Sequence, residues 1–344
     1  MAAYRAGFNA EIFFIGCRDG FEARLIPAAG FELQIVPGTP YARRNALEKV
    51  HALVELVWGT LAAKRLLKAR KTELVIGLGG YASLGAILAA KLLGIPSVIH
   101  EANVLPGLAN RIVGSLADLV FLGWGQAGAR FQTKTILTGN PVRQNLNVCG
   151  SRFRDYGENR RIFVTGGSGG SPFLNENVPP LLAKVRDLGV PLKVLHQAGA
   201  GQAGQVRARY SELGMDGRVE EFVDDMVAAY RESDYVITAA GALTLAEVAM
   251  AGVPAFLVPQ SAAANGHQIA NAEVFSRLSG GDWVREEEWD TTQVASRLAA
   301  TLGNPHALRM QATRLRELAT PEAAQTLVAE CETFLDGRRV TRRV

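Results

Sequence analysis

Short apolar runs alternate with longer stretches whose apolar positions recur at helical spacing. Runs at residues 11–16, 31–37, 73–77, 96–100, 118–122 and 134–137 read as strands, as do 161–164, 191–196, 219–222, 234–238, 255–258 and 282–284. Several end in small or glycine residues, which is how a buried strand hands over to a turn. Helical spacing stands at 46–69, 84–93, 244–250, 290–302 and 306–335, the last interrupted near Pro321. A further helix starts near Pro106. Strand, glycine turn and helix repeated in this order predict an α/β protein of two doubly wound, Rossmann-like domains facing a cleft. The boundaries fall at 1–147 and 160–320, with a polar linker at 148–159 and a closing helix and tail at 321–344.

The densest stretch is 237–272, which reads strand, turn, helix, strand, polar loop, helix. Ala239-Ala240-Gly241 lets backbone approach a ligand, and the helix that follows offers free N–H groups and a positive dipole end to a phosphate. Glu247 lies three residues after Thr244, on about the same helix face. A carboxylate there accepts a pair of hydrogen bonds from vicinal hydroxyls, as on a ribose. Asn265, Gln268 and Asn271 then form a cluster of amides able to read sugar hydroxyls. Taken singly, each reads better as an ordinary polar residue of a helix or loop; the combination in one block points to a nucleotide sugar.

Two more strand–glycine–helix units accompany it. Residues 77–83, containing Gly79, Gly80 and Tyr81, suit an anion, and 165–171 can hold a diphosphate through successive N–H groups and the Ser168 hydroxyl. His100 and Glu101 close a strand at the end where open α/β sheets place their ligands, whereas Asn103 reads equally as a helix cap. Val223 reads as core and Asp224 as an N-cap.

Composition changes this picture little. The 344 residues suit about two domains. The formal charge of +4 is compatible with an anionic substrate or membrane surface and too modest and dispersed for nucleic acid. Three scattered cysteines and five scattered histidines show no metal spacing, so a reducing cytoplasm and no structural metal are expected. No apolar run has transmembrane length and no signal peptide is visible. Within 46–69, Leu53, Leu56, Val57, Trp58 and Leu61 precede Lys64, Arg65, Lys68, Arg70 and Lys71. This stripe reads either as a core-facing helix with a solvated basic end or as an apolar patch ringed by base that rests on anionic lipid.

The segments GALTLAEVAMAGVPAFLVP and HQIANA, with His-Glu-Ala-Asn at 100–103 and Gly-Asn-Pro-Val-Arg at 139–143, resemble the MurG family of N-acetylglucosaminyltransferases. The resemblance covers nearly the whole chain. It implies the GT-B glycosyltransferase architecture and inverting transfer of GlcNAc from UDP-GlcNAc to the C4 hydroxyl of the muramoyl sugar of lipid I, giving lipid II for peptidoglycan synthesis. It implies no cofactor and no essential metal, and a peripheral position on the cytoplasmic face of the bacterial inner membrane with the apolar patch against lipid. The last helix is expected to cross back to the first domain. The implied UDP-GlcNAc site comprises Asn103, Arg143, Ser168, Gly169, Val223 beside the uracil, Ala242, Leu243 and Thr244, Glu247 on the ribose, and Gln268 and Asn271 on GlcNAc. Gly79, Gly80, Tyr81 and Asn103 fall on the acceptor side, and His100 or Glu101 is a candidate base.

Three departures from the family pattern stand out. Gly169 replaces a glutamine, and Ala239-Ala240 replaces an arginine-containing pair. The family's first glycine loop, which carries a histidine near the reaction centre, is expected ahead of residue 11 and is missing. Another GT-B glycolipid glycosyltransferase, or a protein that binds UDP-GlcNAc without transferring it, are the alternatives.

Overall fold

A computed structural model describes residues 10–18, 22–38, 46–146, 156–157, 159–261 and 266–341. Two compact units divide the chain, one of residues 1–139 with 322–344 and one of 140–321. Residues 140–146, read from sequence as part of the first domain, group with the second. The predicted linker at 148–159 lies largely outside the described residues, as do the basic pair Arg43-Arg44, the first nine residues and Asn265.

The first unit opens with β1 (Phe13–Gly16), α1 (Glu22–Ala28) and β2 (Glu32–Ile35), the two strands pairing in parallel. Then come α2 (Ala46–Ala69), β3 (Val75–Gly77), α3 (Gly80–Leu93), β4 (Ser97–Glu101), α4 (Leu108–Leu116), β5 (Leu119–Leu122) and β6 (Thr135–Leu137). Strands β3 to β6 form a parallel sheet in chain order. Ala63 and Leu67 of α2 share one core with Ile87, Ala89 and Ala90 of α3 and Ile99 of β4. Helix α3 begins at Gly80, four residues earlier than its spacing predicts. The expected loop at 77–83 is therefore a short turn at Leu78-Gly79.

The second unit runs β7 (Arg160–Thr165), α5 (Pro172–Asp187), β8 (Leu192–Gln197), α6 (Ala203–Glu212), β9 (Gly217–Glu220), α7 (Met226–Glu232) and β10 (Tyr235–Thr238). It continues with α8 (Ala242–Ala251), β11 (Ala255–Leu257), α9 (His267–Ser279), β12 (Asp282–Trp283), α10 (Thr291–Leu302) and α11 (Pro305–Leu318). Its six strands are parallel in the order β12-β11-β10-β7-β8-β9. Several helix starts carry side-chain caps. Asp290 Oδ1 accepts from the N–H groups of Thr292 at 2.8 Å and Gln293 at 3.0 Å, and Asn304 caps α11 ahead of Pro305. Helix α7 is capped by Asp225, whose carboxylate accepts from Ala228 N–H at 2.9 Å, rather than by Asp224.

Helix α12 (Ala323–Thr341) returns to the first unit. Its Leu327 and Cys331 pack on Val98, Leu119 and Phe121 of that sheet, and the Arg338 guanidinium meets the Asp118 carboxylate. Burying a leucine of this kind contributes about 1.5–3 kcal/mol.

Candidate active site

In the second unit the chain leaves β7 toward β8 on one side, while β10, reached later, pairs on the other. Crossovers that diverge from neighbouring strands open a crevice beyond their C-terminal ends, where doubly wound sheets take their ligands. Thr165 and Thr238 are paired at those ends. Two loops flank the crevice, residues 166–171 after β7 and 239–241 after β10. A Cβ on Gly167 would lie 3.8 Å from Thr244 Oγ1, so the first loop lies beside the first turn of α8, which the second loop leads into.

The first loop folds back so tightly that side chains are excluded at two of its positions, Gly166 and Gly170. A Cβ on Gly166 would come within 2.3 Å of the backbone of Gly170 and Ser171. Gly170 has φ +71, and its Cβ would meet the Ala198 carbonyl oxygen at 2.4 Å. Ser168 and Gly169 are the exposed tip, and a Cβ on Gly169 meets nothing within 4 Å. Ser171 then caps α5, accepting from Leu174 N–H at 3.3 Å, with Pro172 opening the helix. The loop thus leads straight into a helix N-terminus, where N–H groups and dipole favour an anion.

Buried amides fix these loops to one another. Gln197 Nε2 donates to the Gly167 carbonyl at 2.9 Å and to Thr165 Oγ1 at 3.2 Å, while its Oε1 accepts from Val223 N–H at 2.9 Å. Gln268 Oε1 accepts from the N–H groups of Ala240 at 3.2 Å and Gln260 at 2.9 Å, and one of its amide hydrogens goes to Gln260 Oε1. Gln260 Nε2 in turn reaches the Gly170 carbonyl at 3.4 Å. Asn271 is fully buried and donates to the Ala240 carbonyl at 3.1 Å. Its amide, expected from the sequence on the sugar, also holds the turn before α8 in place. Behind the loops, Asn175 Nδ2 donates to the Ala198 carbonyl at 2.8 Å, which leaves Asn175 Oδ1 to accept from His196 Nε2–H at 3.1 Å. His196 Nδ1 then accepts from the Tyr210 hydroxyl at 3.0 Å, and burial pushes the imidazole down to about 3, so it is neutral.

Helix α8 starts after Gly241 with no side-chain cap, so its first N–H groups are not engaged by a capping side chain. Ala242 is buried, Leu243 is exposed, and Thr244 and Glu247 follow at helical spacing. The Glu247 carboxylate is mostly buried. Its Oε1 meets the Arg143 guanidinium, and its Oε2 accepts from the Tyr230 hydroxyl at 3.3 Å. Burial raises its pKa above the ordinary carboxylate value, against the opposing effect of Arg143 and Tyr230.

In the first unit a second cluster sits at the ends of β3 and β4. Glu101 is buried and accepts three bonds: Asn103 N–H at 2.8 Å and Asn103 Nδ2 at 3.1 Å on Oε1, and Asn110 Nδ2 at 2.9 Å on Oε2. A Cβ on Gly79 would lie 3.6 Å from Asn110 Oδ1, which brings the turn before α3 to the same spot. Gly80 and Tyr81 form the first turn of α3. His100 Nε2 pairs with the Gly139 carbonyl at 3.1 Å, and burial lowers the imidazole pKa, leaving the ring neutral.

The structure thus gathers Ser168, Gly169, Thr244, Glu247 and Gln268, expected from the sequence, about one crevice, and His100, Glu101, Asn103 and Gly79 into a separate cluster. Gln197, Tyr230, Gln260 and Asn110, which the sequence reading does not single out, bond to them or to the same loops. Among the described residues no group of three His, Cys, Asp or Glu side chains is arranged to hold a metal ion.

On α2 the stripe separates by face. Leu53, Val57, Trp58 and Leu61 are exposed, joined by Val54, whereas Leu56 is half-buried. Ala52, Gly59, Thr60, Ala63 and Leu67 form the opposite, buried face. Arg65 and Lys68 are exposed beyond the apolar stripe, but Arg70 is engaged by Glu11 at 2.6 Å and by Glu32.

The chain matches the glycosyltransferase family 28 N-terminal domain over residues 5–122 and the family 28 C-terminal domain over residues 161–327. It is 34% identical over 326 residues to the UDP-N-acetylglucosamine–N-acetylmuramyl-(pentapeptide) pyrophosphoryl-undecaprenol N-acetylglucosamine transferase of Geotalea daltonii, covering 93% of this chain and 88% of the relative. The enzyme of the same description from Aeromonas hydrophila is 35% identical, with 95% and 90% covered. The crystal structure of Acinetobacter baumannii MurG superimposes with a TM-score of 0.75 at 30% identity, covering 94% of this chain and 91% of that one.

Proposed function

The chain belongs to glycosyltransferase family 28, among the UDP-N-acetylglucosamine–N-acetylmuramyl-(pentapeptide) pyrophosphoryl-undecaprenol N-acetylglucosamine transferases, and on that premise we propose that it makes lipid II. The reaction is transfer of GlcNAc from UDP-GlcNAc to the C4 hydroxyl of the muramoyl sugar of lipid I. The acceptor oxygen attacks the anomeric carbon, the bond from that carbon to the β-phosphate oxygen breaks, and its electron pair leaves with UDP. The acceptor proton passes to a base.

The observation that carries this reading is the pair of loops flanking the crevice between β7 and β10, one ending in the α5 N-terminus and the other in α8 with Glu247. N–H groups of the glycine loop, the Ser168 hydroxyl and the start of α8 stabilise the charge that develops on the departing diphosphate. Arg143 adds a positive charge beside them. Glu247 accepts from the ribose hydroxyls. Val223, whose N–H is pinned by Gln197, lies against the uracil. Leu243 lines the crevice, Gln268 turns its second amide hydrogen to the sugar, and Asn271 supports it through Ala240. Of the two candidates for the base, His100 is neutral, the state a base requires, whereas the Glu101 oxygens are taken by Asn103 and Asn110. Glu101 then positions Asn103 on the acceptor side with Gly79, Gly80 and Tyr81.

The lipid acceptor brings the chain to the cytoplasmic face of the inner membrane, where the exposed apolar face of α2 with Arg65 and Lys68 suits contact with anionic lipid. No helix among the described residues is long and apolar enough to cross a membrane. The test is transfer of radiolabelled GlcNAc from UDP-GlcNAc to a lipid I analogue by the 344-residue chain. Labelled lipid II is expected. Intact UDP binding without labelled lipid would reduce the reading to donor binding.

A further inference from the structure

Tyr230 takes no part in the chemistry described above, yet it is fully buried with its hydroxyl against a polar group of the crevice. Its ring stands edge-on to Phe163 of β7, with centroids 5.5 Å apart, and α7 is held at its start by the Asp225 cap. The phenol is therefore locked in direction, and its hydroxyl donates to Glu247 Oε2. Desolvation, followed by the neighbouring Glu247 charge, holds the phenol pKa well above its ordinary value, so it is a donor at every working pH. The other carboxylate oxygen is held differently. Oε1 meets Arg143, whose side chain is half exposed on a loop. A buried donor fixes one oxygen, and a displaceable, solvent-facing cation covers the other.

We infer that Tyr230 is a positioning residue for nucleotide binding: by anchoring Glu247 Oε2 it presents Oε1 to the ribose hydroxyls, with Arg143 as the partner that gives way or shares when the nucleotide enters. This rests on the reading that Glu247 holds the ribose. A carboxylate pinned at one oxygen loses little rotational freedom on binding, which is how a supporting residue that never touches the ligand contributes to affinity.

The experiment compares UDP with 2′,3′-dideoxy-UDP as ligands, by titration calorimetry on the full chain, for the parent and for Tyr230→Phe. Phenylalanine keeps the ring and its contact with Phe163 and removes only the hydroxyl. Tyr230→Phe is expected to weaken UDP binding roughly tenfold, the scale of one lost hydrogen bond to a charged group, and to leave dideoxy-UDP unchanged. Equal weakening of both ligands would mean that the hydroxyl matters only for packing, and would overturn the inference. So would unchanged UDP binding. If the parent itself does not distinguish the two ligands, the ribose reading of Glu247 fails and the inference falls with it; that outcome is recognised without any variant. Should Tyr230→Phe melt early, the same comparison is made between Glu247→Ala, which removes the acceptor, and the double variant. Adding Tyr230→Phe to Glu247→Ala is then expected to cost nothing further in UDP affinity, and a further loss would overturn the inference.

Discussion

The guanidinium of Arg143 is joined to the carboxylate of Glu247, 104 residues further along the chain. Burial is the larger influence on this carboxyl and raises its pKa; Arg143 and the Tyr230 hydroxyl pull it back. A raised pKa means that protonation sets in at higher pH than for a solvated glutamate, so nucleotide binding that needs the carboxylate declines on the acid side from above the ordinary value of 4.5. Arg143→Ala removes one of the two opposing partners, so the acid limb of UDP binding is expected to move to higher pH. Glu247→Gln is expected to flatten that limb and to weaken UDP about tenfold or more, the scale of hydrogen bonds to a charged acceptor. Dissociation constants measured across pH for the three proteins check the sign. A limb that moves to lower pH in Arg143→Ala would contradict it.

The glycine loop makes a sharper structural prediction because three of its glycines are not equivalent. Gly166 and Gly170 face backbone at 2.3 and 2.4 Å, which cannot move aside as a flexible side chain can. Gly166→Ala and Gly170→Ala are expected to destabilise the protein by about 1–3 kcal/mol or more through overpacking, with added strain at the positive φ of Gly170. Gly169 has open space where a Cβ would go, and Gly169→Ala or Gly169→Gln is expected to stay within about 0.5 kcal/mol of the parent. Urea unfolding midpoints order the four variants.

Much of this fold is legible because a buried parallel strand followed by a glycine turn leaves a local signature. Most strands lie within two residues of their apolar runs, α2 falls where its periodicity puts it, and the expected helix at 244–250 is the body of α8. What local pattern hides is of two kinds. Helix α5 carries Pro179 and Pro180 in its interior, which argues against a helix until the Ser171 cap and the core beneath it are seen. Helix α3 starts at a Gly-Tyr-Ala-Ser segment whose composition reads as loop. In the site, Glu247 is legible from its spacing to Thr244, since both belong to one helix. The pairing of Arg143 with Glu247 and the anchoring of Glu247 by Tyr230 join residues distant in sequence, and no periodicity reports them. Gln197 is hidden for the same reason, as a polar residue closing an otherwise ordinary strand. Asn271 is legible as an amide but not as a buried one, because the inward face of α9 is decided by packing.

Gln197 ties three segments together, and its two ends do different work. Gln197→Ala leaves the Val223 N–H and the Gly167 carbonyl without this partner inside the protein, at an expected cost of about 1–3 kcal/mol for each group left unsatisfied. Gln197→Glu separates the ends. The carboxylate still accepts from Val223 N–H, but in its charged form it has no hydrogen to give the Gly167 carbonyl and sets oxygen against oxygen there. Both variants are expected to weaken UDP binding. Gln197→Glu is expected to recover stability toward the parent as pH falls and the carboxyl gains the proton that restores a donor. Thermal melting across pH measures this, and a Gln197→Glu protein that loses stability on mild acidification relative to the parent would refute the role assigned to the donor end.

The apolar face of α2 makes its own prediction, one that separates membrane contact from folding. Trp58 is 59% exposed and Val57 53%, so neither contributes much to the core. Replacing both with glutamate, Val57→Glu with Trp58→Glu, removes apolar area that lipid would cover and sets negative charge against an anionic surface. Folding stability is expected to stay within about 0.5 kcal/mol of the parent per substitution, because these are surface positions. Partitioning onto vesicles containing anionic lipid is expected to collapse, while UDP affinity, which the proposed site assigns mainly to the second unit, is expected to stay the same. Arg65→Ala and Lys68→Ala are expected to weaken the partitioning by about fivefold each at low salt, from about 1 kcal/mol per basic residue near the surface, and to have little effect at high salt. Arg70→Ala is expected to act differently, since that cation is engaged by Glu11 and Glu32. Its loss falls on the packing of the first unit and leaves vesicle binding nearly unchanged. Sedimentation with vesicles of graded anionic content, run beside thermal melts of the same variants, distinguishes these outcomes. A glutamate double variant that sediments as the parent does would remove α2 as the membrane-facing surface.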